Sequence, residues 1–380
     1  MINVGSPLST RRRTARGRIA GSLAAVRASA PKAVAATVAL TLAGLAAPAA
    51  NAAPGPSAQQ PGPGAPAISG AWAVQPTPNP LIRGGSLAAV SCTSPTRCVA
   101  VGSRINRAGA RVTLAEAWNG TSWSVQQTPN PPGARETKLA GVSCNSAKSC
   151  IAVGDSFTPG HDVPLAEAWN GTSWSVQQVP NPPGGGGFQG VSCVSAGICL
   201  AVGSGGNAFA GEWNGTAWSV QQVPSPPDAF QTLLASVSCA SASACIAVGR
   251  YLNGTSIEPT LAEEWNGTSW SVKKTPSLKA GGSLNGVSCT SASACTAVGF
   301  DGNGESLAER WNGTAWSIQA TPNVNGQPTG LRGVSCTSAT LCTATGRSQF
   351  GVGAPAAERW NGTKWFVQKV PAPQATAVPG

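Results

Sequence analysis

Residues 118–127 read WNGTSWSVQQ, and residues 169–178 repeat the same ten letters. Near copies begin at Trp213, Trp265, Trp311 and Trp360. Between consecutive copies lies a second constant block, LAGVSCNSAKSCIAVG at 139–154 and LNGVSCTSASACTAVG at 284–299. Aligned on the second Trp of the motif, the copies stand at Trp72, Trp123, Trp174, Trp218, Trp270, Trp316 and Trp365, in steps of 51, 51, 44, 52, 46 and 49 residues. A period of about 40–50 residues marks a repeat architecture, whose units bury their apolar faces against one another.

One unit holds four short apolar runs. Leu139 to Cys144 and Cys150 to Val153 are joined by five small polar residues; Leu165 to Trp169 and Trp174 to Gln178 are joined through Asn170-Gly171. Asn-Gly suits a tight hairpin, because primed turns need positive φ. Proline after the fourth run stops it, since proline cannot donate to a ladder. Six such units with no helical periodicity predict an all-β fold: a six-bladed β-propeller of four-stranded antiparallel blades.

The unit resembles a kelch or galactose-oxidase-type blade. Ile151-Ala152-Val153-Gly154 matches the glycine-ended strand of that motif, Trp169 stands where kelch has its aromatic, and Trp174 matches the kelch Trp. The resemblance spans about residues 70–370 and implies a propeller fold; the composition reads as bacterial. Two features depart from it: the kelch double glycine is single here, and the Cys pairs are foreign to the motif. Sialidase Asp-boxes share the Gly-x-x-Trp ending, but Trp118 occupies the place of their Asp. The count is also uneven. Six copies of the first three strands accompany seven Trp-bearing fourth strands, so either 71–77 or 365–370 completes the last blade.

Residues 1–31 carry six Arg and no acid; an Ala-rich run, 33–47, and the small-x-small triplet Ala50-Asn51-Ala52 follow. That order predicts a cleaved signal peptide over 1–52. A Pro/Gly/Ala linker is expected over 53–69, the propeller over 70–370 and a flexible tail over 371–380. The chain has 25 Lys+Arg against 14 Asp+Glu. Seven of the bases and none of the acids fall in 1–52, leaving 18 against 14, or +4, for the remainder. So thin a charge predicts no nucleic-acid partner, and no apolar anchor predicts membrane attachment after cleavage.

All twelve cysteines form six equivalent pairs: Cys92 with Cys98, Cys144 with Cys150, Cys193 with Cys199, Cys239 with Cys245, Cys289 with Cys295, and Cys336 with Cys342. In an exported chain each pair is expected as a disulfide bracketing the first hairpin of its blade. Closing so short a loop is worth ~2 kcal/mol in the chain-entropy model. A metal site would need more ligands than the single His161 offers, and no Cys-x-x-Cys occurs, so neither metal nor cofactor is expected.

Glu116, Glu167, Glu263, Glu309 and Glu358 each stand two residues before the first Trp of a blade. In the third blade Gly211 takes that place and Glu212 shifts to the other face. A Glu repeated in every blade, in equivalent positions in five, suits buried structural carboxyls, held by backbone N–H groups or hydroxyls, better than catalysis. Strict repetition likewise assigns the tryptophans to packing between blades. The run Gly184 to Gly187 lacks the Lys-Ser/Thr of a phosphate loop.

In a four-stranded meander the first and third connections share one end, the second and the inter-blade connection the other. The first two are nearly constant here; the others vary, and variable loops on a rigid scaffold carry function. Arg104, Arg107, Phe157, His161, Tyr251, Phe300, Asp301 and Phe350 are the candidate ligand-binding residues on that rim. The expected function is a monomeric, secreted, extracellular binding module for a glycan or protein. The alternatives are a glycoside-hydrolase- or lyase-type enzyme using Asp155, Asp162, Glu258, Asp301 or Glu305, and a purely architectural envelope protein.

Overall fold

The computed structural model describes residues 72–78, 84–255, 257–324, 326–348 and 354–371. The expected leader over 1–52, the expected linker over 53–69, all of the expected tail but Pro371, and Phe350 lie outside these.

Blade 1 consists of β1 (Gly85–Ser94), β2 (Arg97–Ile105), β3 (Arg111–Trp118) and β4 (Trp123–Gln126), paired antiparallel in that order. Five more four-stranded sheets repeat the arrangement, ending at Trp365–Gln368. The fold is therefore a six-bladed β-propeller. Its first strands line the central channel and its fourth strands lie outermost. Ring closure uses no strand exchange: Trp365–Gln368 completes blade 6, whereas Trp72 to Pro78 belongs to no sheet.

All six expected disulfides are formed. Cys92 is bonded to Cys98, Cys144 to Cys150, Cys193 to Cys199, Cys239 to Cys245, Cys289 to Cys295, and Cys336 to Cys342. Each spans the β1–β2 type of hairpin, with the two residues directly opposite and Cα atoms 3.9–4.0 Å apart. The two tryptophans of a blade are also cross-strand partners, with tilted rings 5.6–5.8 Å apart. In blades 1 to 5 the first indole N–H donates to a carbonyl in the disulfide hairpin, as Trp265 does to Ala242 at 3.2 Å. The second Trp is buried against the preceding blade from Trp174 onward. The first Trp thus ties two hairpins of one blade together, and in blades 3 to 6 both tryptophans also belong to the apolar core against the preceding blade.

The WNGTSW loop differs from the expected two-residue primed turn. Trp169 pairs directly with Trp174, leaving a four-residue loop in which Gly171 has φ 98°. Asn170 acts through its side chain: Oδ1 accepts from the Thr172 N–H and hydroxyl and from the Ser173 N–H at 2.8–2.9 Å. The same cap recurs at Asn119, Asn214, Asn266, Asn312 and Asn361. Asn170→Ala should therefore cost on the order of 1–2 kcal/mol, by orphaning two loop N–H donors, and Asn170→Asp should recover most of it. Denaturant titration checks this; an unaffected Ala variant would rule out the side-chain cap.

Five of the buried carboxyls are in place, with Glu116 2% exposed and Glu167, Glu263, Glu309 and Glu358 at 0%. Glu309 accepts from the Thr260 hydroxyl at 3.4 Å and Glu358 from the Ser306 hydroxyl at 2.9 Å, both across a blade junction. Glu263 has no partner for either oxygen. Blade 3 solves the same packing differently. A side chain on Gly211 would collide with the ring of Phe188, which replaces the Leu found at this point in the other first strands. A buried phenyl ring there stands in for a buried Glu.

The five junctions between successive blades share one build. Each holds its own apolar core. Each is also bridged from a serine hydroxyl to a cysteine N–H, from Ser91–Cys144 through to Ser288–Cys336, at 2.9–3.0 Å. Among the described residues, neither feature joins blade 6 to blade 1. Leu87 is 39% exposed where its equivalent Leu139 is 1% exposed, and Val90 is 59% exposed where Val142 is 8% exposed. On the facing side Thr345 is exposed, while Val101, Val153, Val202, Val248 and Val298 at the same place are wholly buried. Among the described residues the propeller carries an open seam between blades 6 and 1.

Candidate functional site

The channel geometry begins with a glycine. In every blade the second strand contains Ala-Val-Gly or its equivalent, and a Cβ on that glycine would overlap a carbonyl oxygen of the first strand, as Gly249 would with Leu233. This close approach accompanies a β-bulge in each first strand, which leaves one residue without a partner: Ala88, Ala140, Gln189, Ala235, Asn285 and Arg332. Bulges re-aim side chains. Here all six bulged residues line one central cavity of about 1020 Å³.

The chemistry of that ring is uneven. Blades 1, 2 and 4 contribute alanine. Asn285 is committed, donating to the Leu331 carbonyl at 2.7 Å and accepting from the Ser283 hydroxyl at 3.2 Å. Gln189 and Arg332 are exposed and, among the described residues, have no hydrogen-bond or ion-pair partner. No carboxylate lines the cavity, so the Arg332 guanidinium is an unbalanced positive charge inside it. Sequence reasoning missed this site, although it had left a signal. In the block Leu-x-Gly-Val-Ser-Cys the second position changes from Ala to Gln, Asn and Arg while Val-Ser-Cys stays fixed.

The structure spreads the rim candidates over several blades. Arg107 is exposed in the loop after β2, and Phe157 and His161 are exposed at the strand ends that flank the equivalent turn of blade 2. Arg104 is half-buried near the end of β2. Tyr251 is also half-buried and packs on the apolar core between blades 3 and 4, so it is partly structural. Burial, and secondarily the Asp228 charge, raise its phenol above the ordinary 10.0. Phe300 is half-buried at the end of its strand. Asp301 caps its own loop, accepting from the N–H groups of Asn303 and Glu305 at 2.9 Å.

The loop carboxylates do not converge. Asp155 pairs with Lys138 at 3.2 Å and Glu258 with Arg250 at 2.9 Å, Asp301 is occupied by its loop, and Glu305 accepts from Asn323 at 3.4 Å. Burial raises the Asp155 carboxyl above its usual range, against the opposing pull of Lys138. None of these groups, nor Asp162, lines the central cavity. Among the described residues no group of three or more His, Cys, Asp or Glu could hold a metal ion, and no helix is long and apolar enough to cross a membrane. Six disulfides fit an oxidizing environment.

No family model matches the chain, and no curated protein matches it. Among solved structures it is similar to a fucose-specific lectin from Aleuria aurantia, 12% identical over 76% of this chain and 96% of that one, with a TM-score of 0.49. It is also similar to YCF48 bound to D1 peptide, 11% identical over 74% and 80% of the two chains, with a TM-score of 0.48. YCF48 from Cyanidioschyzon merolae gives 14% identity over 75% and 87%, also with a TM-score of 0.48. Similarity this low carries no information on what this chain binds.

Proposed function

We propose that the chain is a secreted, monomeric, extracellular binding module that holds a glycan or a protein at the loop-bearing mouth of its channel. The observation that carries this reading is the bulge ring: the repeat is constant around it and varies at the residues that face the cavity. In blade 1 the bulge at Ala88 lies three residues from the loop-side end of β1, so at ~3.3 Å per residue the ring sits about 10 Å below the variable rim. Rim and ring thus form two tiers of one surface, with Arg107, Phe157 and His161 as outer contacts and Gln189 and Arg332 as inner ones. The remaining described rim candidates, Arg104, Tyr251, Phe300 and Asp301, are assigned to the same outer tier.

The test is a screen of the full chain against glycans, cell-wall polymers and extracellular proteins. Any hit is then re-measured with Arg107→Ala, Phe157→Ala and His161→Ala, and with Thr121→Ala and Thr172→Ala at the opposite end. Rim variants should weaken binding about three- to thirtyfold while the opposite-end variants leave it unchanged. Loss confined to the Asn-Gly end would place the site on the wrong face of the propeller.

A further inference from the structure

The departures from the repeat converge on one place. Arg332 replaces the small or amide residue found at the bulge in the other blades. Thr345 replaces a valine present in all five other blades, and Thr343 stands where blades 1 to 4 have Val, Ile or Leu and blade 5 has Thr296. All three are in blade 6 and line the central cavity. Opposite them, on the face of blade 1, Trp123 lines the same cavity and is half-buried, whereas its five equivalents are sealed into blade junctions. Trp72, from the unpaired copy of the fourth-strand motif, lines it as well. The open seam therefore presents two indoles from the N-terminal side and one guanidinium with two threonines from the C-terminal side.

An unfinished junction between identical blades would keep the valine that is wholly buried at the Thr345 position in the other five. Blade 6 instead carries an exposed Thr345 there, with the Thr343 hydroxyl beside it, which suits a face exposed to water and to a polar ligand. We infer that the seam between blades 6 and 1 is a binding slot for a carboxylated glycan, whose carboxylate is taken by Arg332 and whose sugar ring lies against Trp123 and Trp72. The guanidinium fork matches a planar carboxylate through two parallel N–H···O bonds, and no acid in the cavity competes for it. Indole faces pack on the apolar face of a sugar ring, and Thr343 and Thr345 supply hydrogen bonds to its hydroxyls. An acidic peptide would satisfy Arg332 equally, but it would leave the two threonines and the flat indoles without matched partners.

This inference rests on the binding reading above and narrows it to one ligand class. Calorimetry of the full chain with an oligouronide and with its carboxyl-reduced, neutral counterpart tests it, alongside Arg332→Gln, Arg332→Lys and Thr345→Val. Arg332 and Thr345 are exposed, so these variants should melt with the parent. The parent should bind the oligouronide at least about tenfold more tightly than the neutral form, and more weakly as salt rises. Arg332→Gln should abolish that preference, Arg332→Lys should keep part of it, and Thr345→Val should weaken both forms several-fold. Equal binding of charged and neutral forms, an unaffected Arg332→Gln, or stronger binding of poly-glutamate than of the oligouronide would each overturn the slot while leaving the broader binding reading to its own screen. No binding of either glycan overturns the slot; no binding by anything in the broad screen overturns both.

Discussion

Gly249→Ala should lower the stability of the protein by about 3–5 kcal/mol, a drop in Tm on the order of 10 °C, although it adds a single methyl group in a strand. The cause is steric. The new Cβ would overlap the Leu233 carbonyl oxygen, and both atoms belong to paired backbone, so neither can turn aside as a side chain would. Relief requires the first strand to withdraw, and withdrawal undoes the bulge at Ala235 and loosens the junction cores on either side. Gly254→Ala makes a useful contrast. Gly254 has open space around it and a φ of 79°, so its substitution costs only local backbone strain of about 1 kcal/mol in a surface loop. Thermal melts of the two variants side by side give the answer. Similar losses, or a Gly249→Ala protein as stable as the parent, would show that the close approach is not what requires glycine.

Stability should also fall as pH rises from about 4.5 to 8. Burial pushes Glu167, Glu263 and Glu309 from the ordinary 4.5 up to about 8, and Glu358 up to about 7. Hydroxyl hydrogen bonds from Thr260 and Ser306 pull the other way on Glu309 and Glu358 but are outweighed. The folded protein therefore keeps protons that the unfolded chain releases above 4.5. The contribution is fully present below that value, is lost progressively through the window, and levels off above 8. A shift of that size sets a ceiling of about 5 kcal/mol per carboxyl, at ~1.4 kcal/mol per pH unit. Water penetration brings the expected loss to on the order of 1–3 kcal/mol each.

Glu263→Gln isolates one member of the set, because its carboxyl has no hydrogen-bond partner to forfeit. The variant should match the parent near pH 4.5 and exceed its stability at pH 8.5. Parallel denaturation curves at the two pH values, with no change in the difference between the proteins, would mean that Glu263 is ionised in the fold.

Much of this architecture is legible in the chain because each blade is specified locally. Val and Ile alternating with small residues set the strands, Gly-containing loops punctuate them, and the cysteine spacing places each sulfur opposite its partner. Even the blade 3 exception is written in sequence, in the exchange of Glu for Gly211 and of Leu for Phe188, although only the packing shows that the two changes compensate. The local loop chemistry is harder to read. Asn-Gly is compatible with both a primed turn and a side-chain cap, and only the pairing of Trp169 with Trp174 separates them.

What the sequence hides is collective. A bulge depends on how two strands fit, so the variation at Arg332 and Gln189 looks like noise until the ring places those residues in one cavity. The seam depends on the accumulated angle of six wedges, which no single blade encodes. Conversely, the rim loops vary more than any other part of the chain, yet Asp155 and Glu258 are paired with strand residues Lys138 and Arg250 and Asp301 caps its own loop. Loop variability alone does not separate a ligand contact from a local brace.

The disulfides bear on how such a chain reaches its fold. Twelve cysteines can pair in thousands of ways, and most secreted proteins with that many must search and reshuffle before the native set wins. Here every partner lies six residues away, on the other arm of a hairpin. A contact over so short a loop closes in well under a microsecond to a few microseconds, far faster than the chemistry of oxidation. Each bond can therefore be made correctly while the next blade is still being synthesised. With no strand of blade 6 borrowed from the N-terminus, no blade has to wait for the end of the chain to be complete. Assembly can run in one direction, with errors confined to the blade in which they arise.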